Sequence, residues 1–278
     1  MSSATTIRTR AIVFLAILPI AMGACSNGSS RDSSASDVLS NVSALVVRQV
    51  ATPPLRVPHH QTRGTYPQVS NGKLNLKTVN AALRNAVLDE QREYARFARK
   101  ALSRTPKVIL RKYHGVFETT PQRWLISSSS VLVSALIPVR ENLPGGTATG
   151  TWVSVTVQVP SGDPVRVEDL FAEPTRGLEM LARVIRKKFL STNSCVRQSF
   201  ENAIPEVHAY YAKGFAPTAS NYQHFALTTN GIVVGFPMEQ VAGPVCYRVA
   251  ATAPYVALRP YLSELGQKLI TGVRQPQR

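Results

Sequence analysis

The spacing of apolar residues changes several times along the chain, and each change predicts a different element. Ala11 to Met22 is an almost unbroken apolar run. Ser26 to Asp37 is nearly all Ser, Asn, Asp, Gly and Ala, too poor in apolar surface to order itself. Val38 to Val50 is apolar enough to dock as a short helix or strand, after which Pro53, Pro58 and Pro67 predict a break in regular structure. A compact domain is therefore expected from about Tyr66. Val79, Leu83, Ala86, Val87, Tyr94, Phe97 and Ala101 recur at helical spacing and predict a helix over 78–102, with Pro106 beyond its end. The period then shortens. Val108-Ile109-Leu110, Val131-Leu132-Val133 and the alternating Val153, Val155, Val157, Val159 read as strands, with turns at Pro144-Gly145-Gly146 and Ser161-Gly162-Asp163-Pro164. A second helix is predicted over 176–190 from Leu178, Leu181, Val184, Ile185 and Phe189. Phe225–Leu227 and Ile232–Phe236, split by Thr229-Asn230-Gly231, read as a hairpin, and a last helix is predicted over 255–271. This order predicts an α+β fold: one domain whose mainly antiparallel sheet is packed by two or three helices.

The first apolar run is preceded by Arg8 and Arg10, interrupted by Pro19 and followed by Gly23-Ala24-Cys25. It is shorter than the ~20 residues a spanning helix needs, and its basic, apolar, small-residue order is that of a secretion signal. Ala21-Met22-Gly23-Ala24-Cys25 resembles the lipobox of bacterial lipoproteins, with Met22 where Leu is usual. That resemblance implies cleavage before Cys25 and acylation of its thiol, and several acyl chains hold a protein stably on a bilayer. The competing reading is a secreted soluble protein cut near Ala24 with Cys25 as a free thiol. The organisation expected is a signal peptide over 1–24, a lipidated Cys25 with tether and Pro-rich lead-in over 25–65, and the folded domain over 66–278. The protein would be lipid-anchored on the extracytoplasmic side of the cell membrane, on a tether whose random-coil reach is on the order of 20 Å.

Composition adds the sign of the partner. Lys+Arg number 32 against 16 Asp+Glu, a net charge of +16, and removal of residues 1–24 takes away two arginines and leaves +14. An apolar content of 44% excludes a wholly disordered chain. The positive charge is uneven: Arg92, Arg96, Arg99, Lys100, Arg104, Lys107, Arg111 and Lys112 run through the end of the first helix into the next element, and Arg186, Lys187 and Lys188 form a smaller run. Cations at a helix C-terminus favour the macrodipole, and a solvated face accounts for such a run as well as a ligand does. Read as a site, the eight-residue run is an anion-binding face for lipid or a wall polymer. Nucleic acid is not expected outside the cell, and Tyr94, Phe97 and Tyr113 read as core rather than as base-stacking platforms.

Three cysteines are too few for a disulfide scaffold, and no pair has zinc-knuckle or redox spacing. With Cys25 lipidated, Cys195 and Cys246 of an exported protein are expected to pair. The bridge would tie the link after the second helix to the turn after the hairpin.

The same elements carry a resemblance. Tyr66-Pro67, Thr78-Val79-Asn80 opening the long helix, Val167-Glu168-Asp169-Leu170-Phe171 entering the second, Phe225 to Phe236 as a sheet hairpin, and Ala253-Pro254-Tyr255 leading into a helix are similar, in this order, to the RsiV family, or domain of unknown function 3298 (DUF3298). The family's Gly-Gly-Ala-His loop stands as Gly145-Gly146-Thr147-Ala148, without the histidine. The resemblance implies a sheet packed by helices. The family includes a lysozyme-sensing anti-sigma factor, the accessory part of a peptidoglycan deacetylase and secreted mycobacterial antigens. Only ten residues precede the apolar run, too few for a cytosolic anti-sigma segment, and no stretch is left for a metal-dependent deacetylase domain. A basic lysozyme would meet net repulsion here.

Gly-x-Ser-x-Gly, His-Glu-x-x-His and a phosphate-binding Gly-Lys-Ser/Thr are all missing from the sequence. His59-His60 has no third ligand at metal-site spacing. His114, His208 and His224 are dispersed, and only folding can bring one beside Asp169 or Glu239 and a serine. The expectation is a lipid-anchored envelope protein with a non-catalytic binding or organising role, without metal or cofactor and with its protein partner open. The alternatives are an envelope hydrolase or esterase with a non-serial triad, and a lysozyme-binding or wall-stress sensor.

Overall fold

The computed structural model describes residues 45–71, 74–122 and 125–273. The expected signal peptide over 1–24, Cys25 and the stretch Ser26–Asp37 expected to act as a tether lie outside the described residues. Among the described residues nine strands and seven α-helices follow one another as β1 (Val46–Ala51), β2 (His60–Ser70), α1 (Lys77–Leu102), α2 (Lys107–Lys112), β3 (Gly115–Thr119), β4 (Ile126–Ser128), β5 (Leu132–Asn142), β6 (Thr149–Gln158), α3 (Pro174–Thr192), α4 (Ser194–Glu201), α5 (Pro205–Gly214), β7 (Phe225–Thr228), β8 (Gly231–Phe236), β9 (Val249–Ala253), α6 (Tyr255–Leu258) and α7 (Glu264–Gly272). One sheet runs β1-β2-β3-β5 with β6 on the far side of β5, and β4 also pairs with β5. The second is β7-β8-β9. Every pairing is antiparallel except β2 with β3. The fold is thus the mixed α+β arrangement that the periodicity predicts.

The two sheets stack, and helices cover the outer face of each. β5 shows why its sequence is apolar almost without interruption. Val133, Ala135, Ile137 and Val139 pack with Val79, Leu83, Val87 and Tyr94 of α1. Leu136, on the opposite face, meets Trp152, Ala226 and Val233 between the sheets. A strand buried on both faces loses the two-residue alternation of a solvated one. The polar groups between the sheets are paired: Ser134 Oγ lies 2.7 Å from Thr156 Oγ1 and accepts from Leu227 N at 2.9 Å. Ser127 Oγ donates to Leu227 O, and Trp152 Nε1 donates to Phe236 O at 3.1 Å. Outside the second sheet, Leu181, Ile185 and Phe189 of α3 join Val196, Phe200, Tyr222, Phe225, Ile232, Val234 and Phe236 in the largest cluster.

Four local expectations change. The first strand, Val46–Ala51, lies in the stretch expected to dock as a helix or strand, and residues 52–59, with Pro53 and Pro58, are irregular as expected, but Pro67 falls within β2, so regular structure begins before Tyr66. Thr65–Ser70 is bonded on the β1 side, while His60–Gly64 pairs with β3, so a residue without an N–H is tolerated in the one-sided half. The strand changes partner at Gly64, where φ is +90° and an added Cβ would lie 1.8 Å from Thr119 O. Second, Val108-Ile109-Leu110 is helical. The Pro106–Lys112 stretch closes a turn, Ile109 N donating to Pro106 O at 3.0 Å, and a three-residue apolar run cannot reveal its own period. Third, the last helix divides around the 3-10 turn Arg259–Tyr261, which contains Pro260, and restarts at α7 with Ser263 Oγ capping Gly266 N. Fourth, α4 and α5 fill the stretch between the second helix and the hairpin, too short to show a clear period.

The disulfide forms between Cys195 at the start of α4 and Cys246, with 5.6 Å between Cα atoms. It closes a loop of 51 residues, and it holds α4 and α5 against the turn that follows β8.

Candidate functional site

All eight residues of the basic run are exposed. Arg92 to Lys100 stand on the outer turns of α1, whose inner face (Val87, Gln91, Tyr94, Ala98) is buried on the sheet. Lys107, Arg111 and Lys112 stand on α2 rather than on a strand. Arg92 pairs with Asp89 and Arg96 with Glu93, each one turn away. Among the described residues no carboxylate pairs with Arg99, Lys100, Arg104, Lys107, Arg111 or Lys112; Arg99 donates to Arg56 O at 3.3 Å. Arg92, Arg96 and Arg99 line a shallow groove of about 500 Å³ on the helix surface. Glu93 is the one acid between Arg92 and Tyr113, so the face presents a strong positive potential. The smaller run differs. α3 continues to Thr192, so Arg186–Lys188 do not occupy its last turn, and Arg186 lies over the Phe200 ring at 5.2 Å.

Beside this face lies a polar group that spacing in the sequence does not bring together. Glu141 and Asn142 end β5, Glu90 and Tyr94 lie on α1, and His60 opens β2. Tyr94 Oη donates to Asn142 O at 2.6 Å, and the His60 ring meets Tyr94 edge-on at 5.7 Å. His60 Nδ1 lies 2.7 Å from Pro58 O, so it carries the proton and leaves Nε2 as an acceptor. His60 Nε2, Glu141 Oε1 and Asn142 Oδ1 are buried without a hydrogen-bond partner among the described residues. Burial, reinforced by the neighbouring Glu90 carboxyl, pushes the Glu141 carboxyl up to about 8, and burial also raises Glu90. Burial lowers His60. Glu141 is therefore largely protonated near neutral pH, a hydrogen-bond donor held at the end of a strand. The signal for it in the sequence is one acid closing a strand of apolar residues, too common to single out.

His114, His208 and His224, considered for catalysis, stand in separate places, although folding brings His114 near His59. His59 and His114 are exposed, with ring centroids 6.5 Å apart, and His208 packs on Phe200 at 4.2 Å. His224 is half-buried, and desolvation lowers it to about 4, so it is neutral, its buried Nδ1 without a hydrogen-bond partner among the described residues. Asp169 accepts from Arg166 N at 2.8 Å and caps the turn before α3. Among the described residues no three His, Cys, Asp or Glu side chains are placed to hold a metal ion. A cleft of about 600 Å³ between α1 and β6 is lined by Asn85, Asp89, Ser154, Arg166, Glu168 and Gln223 among others, with no histidine or cysteine.

Neither a family model nor a curated protein matches this chain. Among solved structures, a DUF3298 family member from Bacteroides fragilis matches 82% of this chain and 96% of its own length, with a TM-score of 0.50 at 14% identity. The fold is that of the DUF3298 structures. A DUF3298 protein from Pseudomonas aeruginosa matches 80% of this chain and 96% of its own at 10% identity, with a TM-score of 0.46. The DUF3298-like sequence motifs do structural work here. Asn80 Oδ1 accepts from Val69 N and its Nδ2 donates to Val69 O, both at 2.8 Å, which clips the start of α1 to β2. Leu170 and Phe171 are buried, and Gly177 admits the Phe171 ring, since a Cβ there would lie 2.1 Å from it. Tyr255 Oη donates to Thr228 O at 2.7 Å and ties α6 to the hairpin.

Proposed function

We propose that this protein is a lipid-anchored, extracytoplasmic envelope protein whose basic α1–α2 face binds anionic components of the cell envelope without catalysing a reaction. The observation that carries the reading is the set of six cations, Arg99 to Lys112, exposed on one segment with no carboxylate partner among the described residues. Cations without a carboxylate partner add little to the fold, since even paired surface charges contribute about 0–1 kcal/mol. They gain more from an acidic surface, at about 1 kcal/mol each beside a negatively charged membrane. The lipobox-like Ala21-Met22-Gly23-Ala24-Cys25 supports placement at that surface, and the similarity to the RsiV family, with its anchored and secreted members, supports an extracytoplasmic setting.

The test uses the mature chain carrying Cys25→Ser, so that no acyl chain contributes. Replacing Arg99, Lys100, Arg104, Arg111 and Lys112 together by Gln is expected to weaken sedimentation with anionic vesicles or anionic wall polymer at least about tenfold, with the thermal midpoint little changed and the wild-type binding released by salt. Equal binding of the two proteins at low salt would leave the run a solvated face. In the same preparation, ester or peptidoglycan turnover above a heat-inactivated control, abolished by one point substitution, would favour a hydrolase instead.

A further inference from the structure

Building on that reading, we infer that α2 and Phe97 form a tip that enters the headgroup layer of an anionic phospholipid bilayer. Val108-Ile109-Leu110 is the most apolar stretch between α1 and β3, yet α2 has no buried residue. Val108 is 69% exposed, Phe97 60% and Tyr113 42%. Ile109 and Tyr113 flank Gly145 in the β5–β6 loop, the nearest Ile109 carbon 2.7 Å and the nearest Tyr113 carbon 3.7 Å from the place of a Cβ there. The helix thus rests on that loop by one side and turns Val108 outward. Phe97 belongs to the same side of the molecule. Glu90, Phe97 and Ala101 recur at spacings of seven and four along α1 and share a flank, and Glu90 repels Glu141 where β5 enters that loop.

The cations frame the apolar side chains. Arg96 and Lys100 are one and three residues from Phe97, Lys107 precedes Val108, and Arg111 and Lys112 follow it by three and four. The Lys112 ammonium lies 5.3 Å from the Tyr113 ring centroid, which pairs a cation with the aromatic type favoured at membrane interfaces. A soluble polyanion would neutralise the cations and leave Phe97 and Val108 in water. A bilayer satisfies both, because phosphates meet the cations while the shallow acyl boundary takes the apolar side chains, and long basic side chains reach back to the headgroups. Charge and exposed apolar area together therefore select the lipid surface over the wall polymer.

The experiment uses the mature chain with Cys25→Ser and Val108→Cys, labelled with an environment-sensitive fluorophore while Cys195 and Cys246 remain bridged. Vesicles of phosphatidylglycerol and phosphatidylcholine in equal parts should shift the emission to shorter wavelength and bring it within reach of a bromolipid quencher. Pure phosphatidylcholine and soluble polyglutamate should do neither. In unlabelled protein, Phe97→Ser with Val108→Ser should weaken binding to the anionic vesicles about tenfold and leave polyglutamate binding unchanged. Vesicle binding without an emission change, and undiminished in the double variant, would overturn insertion and leave anion binding standing. Failure to bind vesicles and polyglutamate alike would overturn both.

Discussion

Replacing Glu141 by Gln should stabilise the protein increasingly as the pH is raised. The Glu141 carboxyl, ordinarily near 4.5, is pushed up to about 8 by burial and by Glu90. Because the folded state holds the proton more tightly than the unfolded chain, this group's contribution is complete below pH 4.5 and is lost as the pH rises through about 8. At 1.36 kcal/mol per tenfold change in proton affinity the ceiling is about 5 kcal/mol. The residual exposure of Glu141 and its sharing of charge with Glu90 reduce the expected loss to about 2 kcal/mol. Glutamine keeps the shape and cannot ionise, so urea denaturation of both proteins from pH 5 to pH 9 should show their difference growing by about that amount. His224 acts in the opposite sense. Burial lowers it to about 4, so stability is lost as the pH falls from 6.5 towards 4, but both proteins share this slope and it cancels in the subtraction. A difference that stays flat from pH 5 to pH 9 would show that Glu141 ionises at its ordinary value and refute the buried-carboxyl reasoning.

Cys25→Ser should shift the protein from the membrane fraction to the soluble fraction and remove any acyl mass from the mature terminus, while unchanged detergent partitioning would reject lipidation. Cys195 and Cys246 should resist alkylation in the folded protein until it is reduced, and reduction should cost about 2–4 kcal/mol of stability; quantitative alkylation of both beforehand would exclude the bridge in solution.

The fold was legible where local chemistry and tertiary packing agree. Val79, Leu83, Val87 and Tyr94 announce α1 because the face they form is the face that the sheet buries. Phe225 to Phe236 reads as a hairpin because a polar Thr229-Asn230 pair turns the chain between Thr228 and its partner Gly231, whose φ of +149° suits glycine. The misses have two causes, a deciding partner remote in sequence and a run too short to show its own period. Pro67 sits in a strand because Gln49 lies opposite, and Val108-Ile109-Leu110 is helical although its three residues fit a strand as well. The basic run was visible as composition, and its pairs Arg92–Asp89 and Arg96–Glu93 follow from three-residue spacing on a helix, but that no carboxylate among the described residues reaches the other six depends on where the remaining acids fold. Glu90, Glu141, Tyr94 and His60 come from three separate elements, and no spacing rule joins them. The residues that carry the family resemblance, Asn80, Phe171 and Tyr255, hold elements together, which is why they speak for the fold and say little about the ligand.

The most direct test of the envelope-binding reading is photo-crosslinking in living cells, with the photoreactive residue placed at Arg104 in one strain and at exposed Glu179, on the helix layer beyond the second sheet, in another. Anionic phospholipid captured from position 104 and not from position 179 is the predicted result. Equal capture from both positions, or capture from 104 of neither lipid nor anionic wall polymer, would contradict a binding role for the basic face.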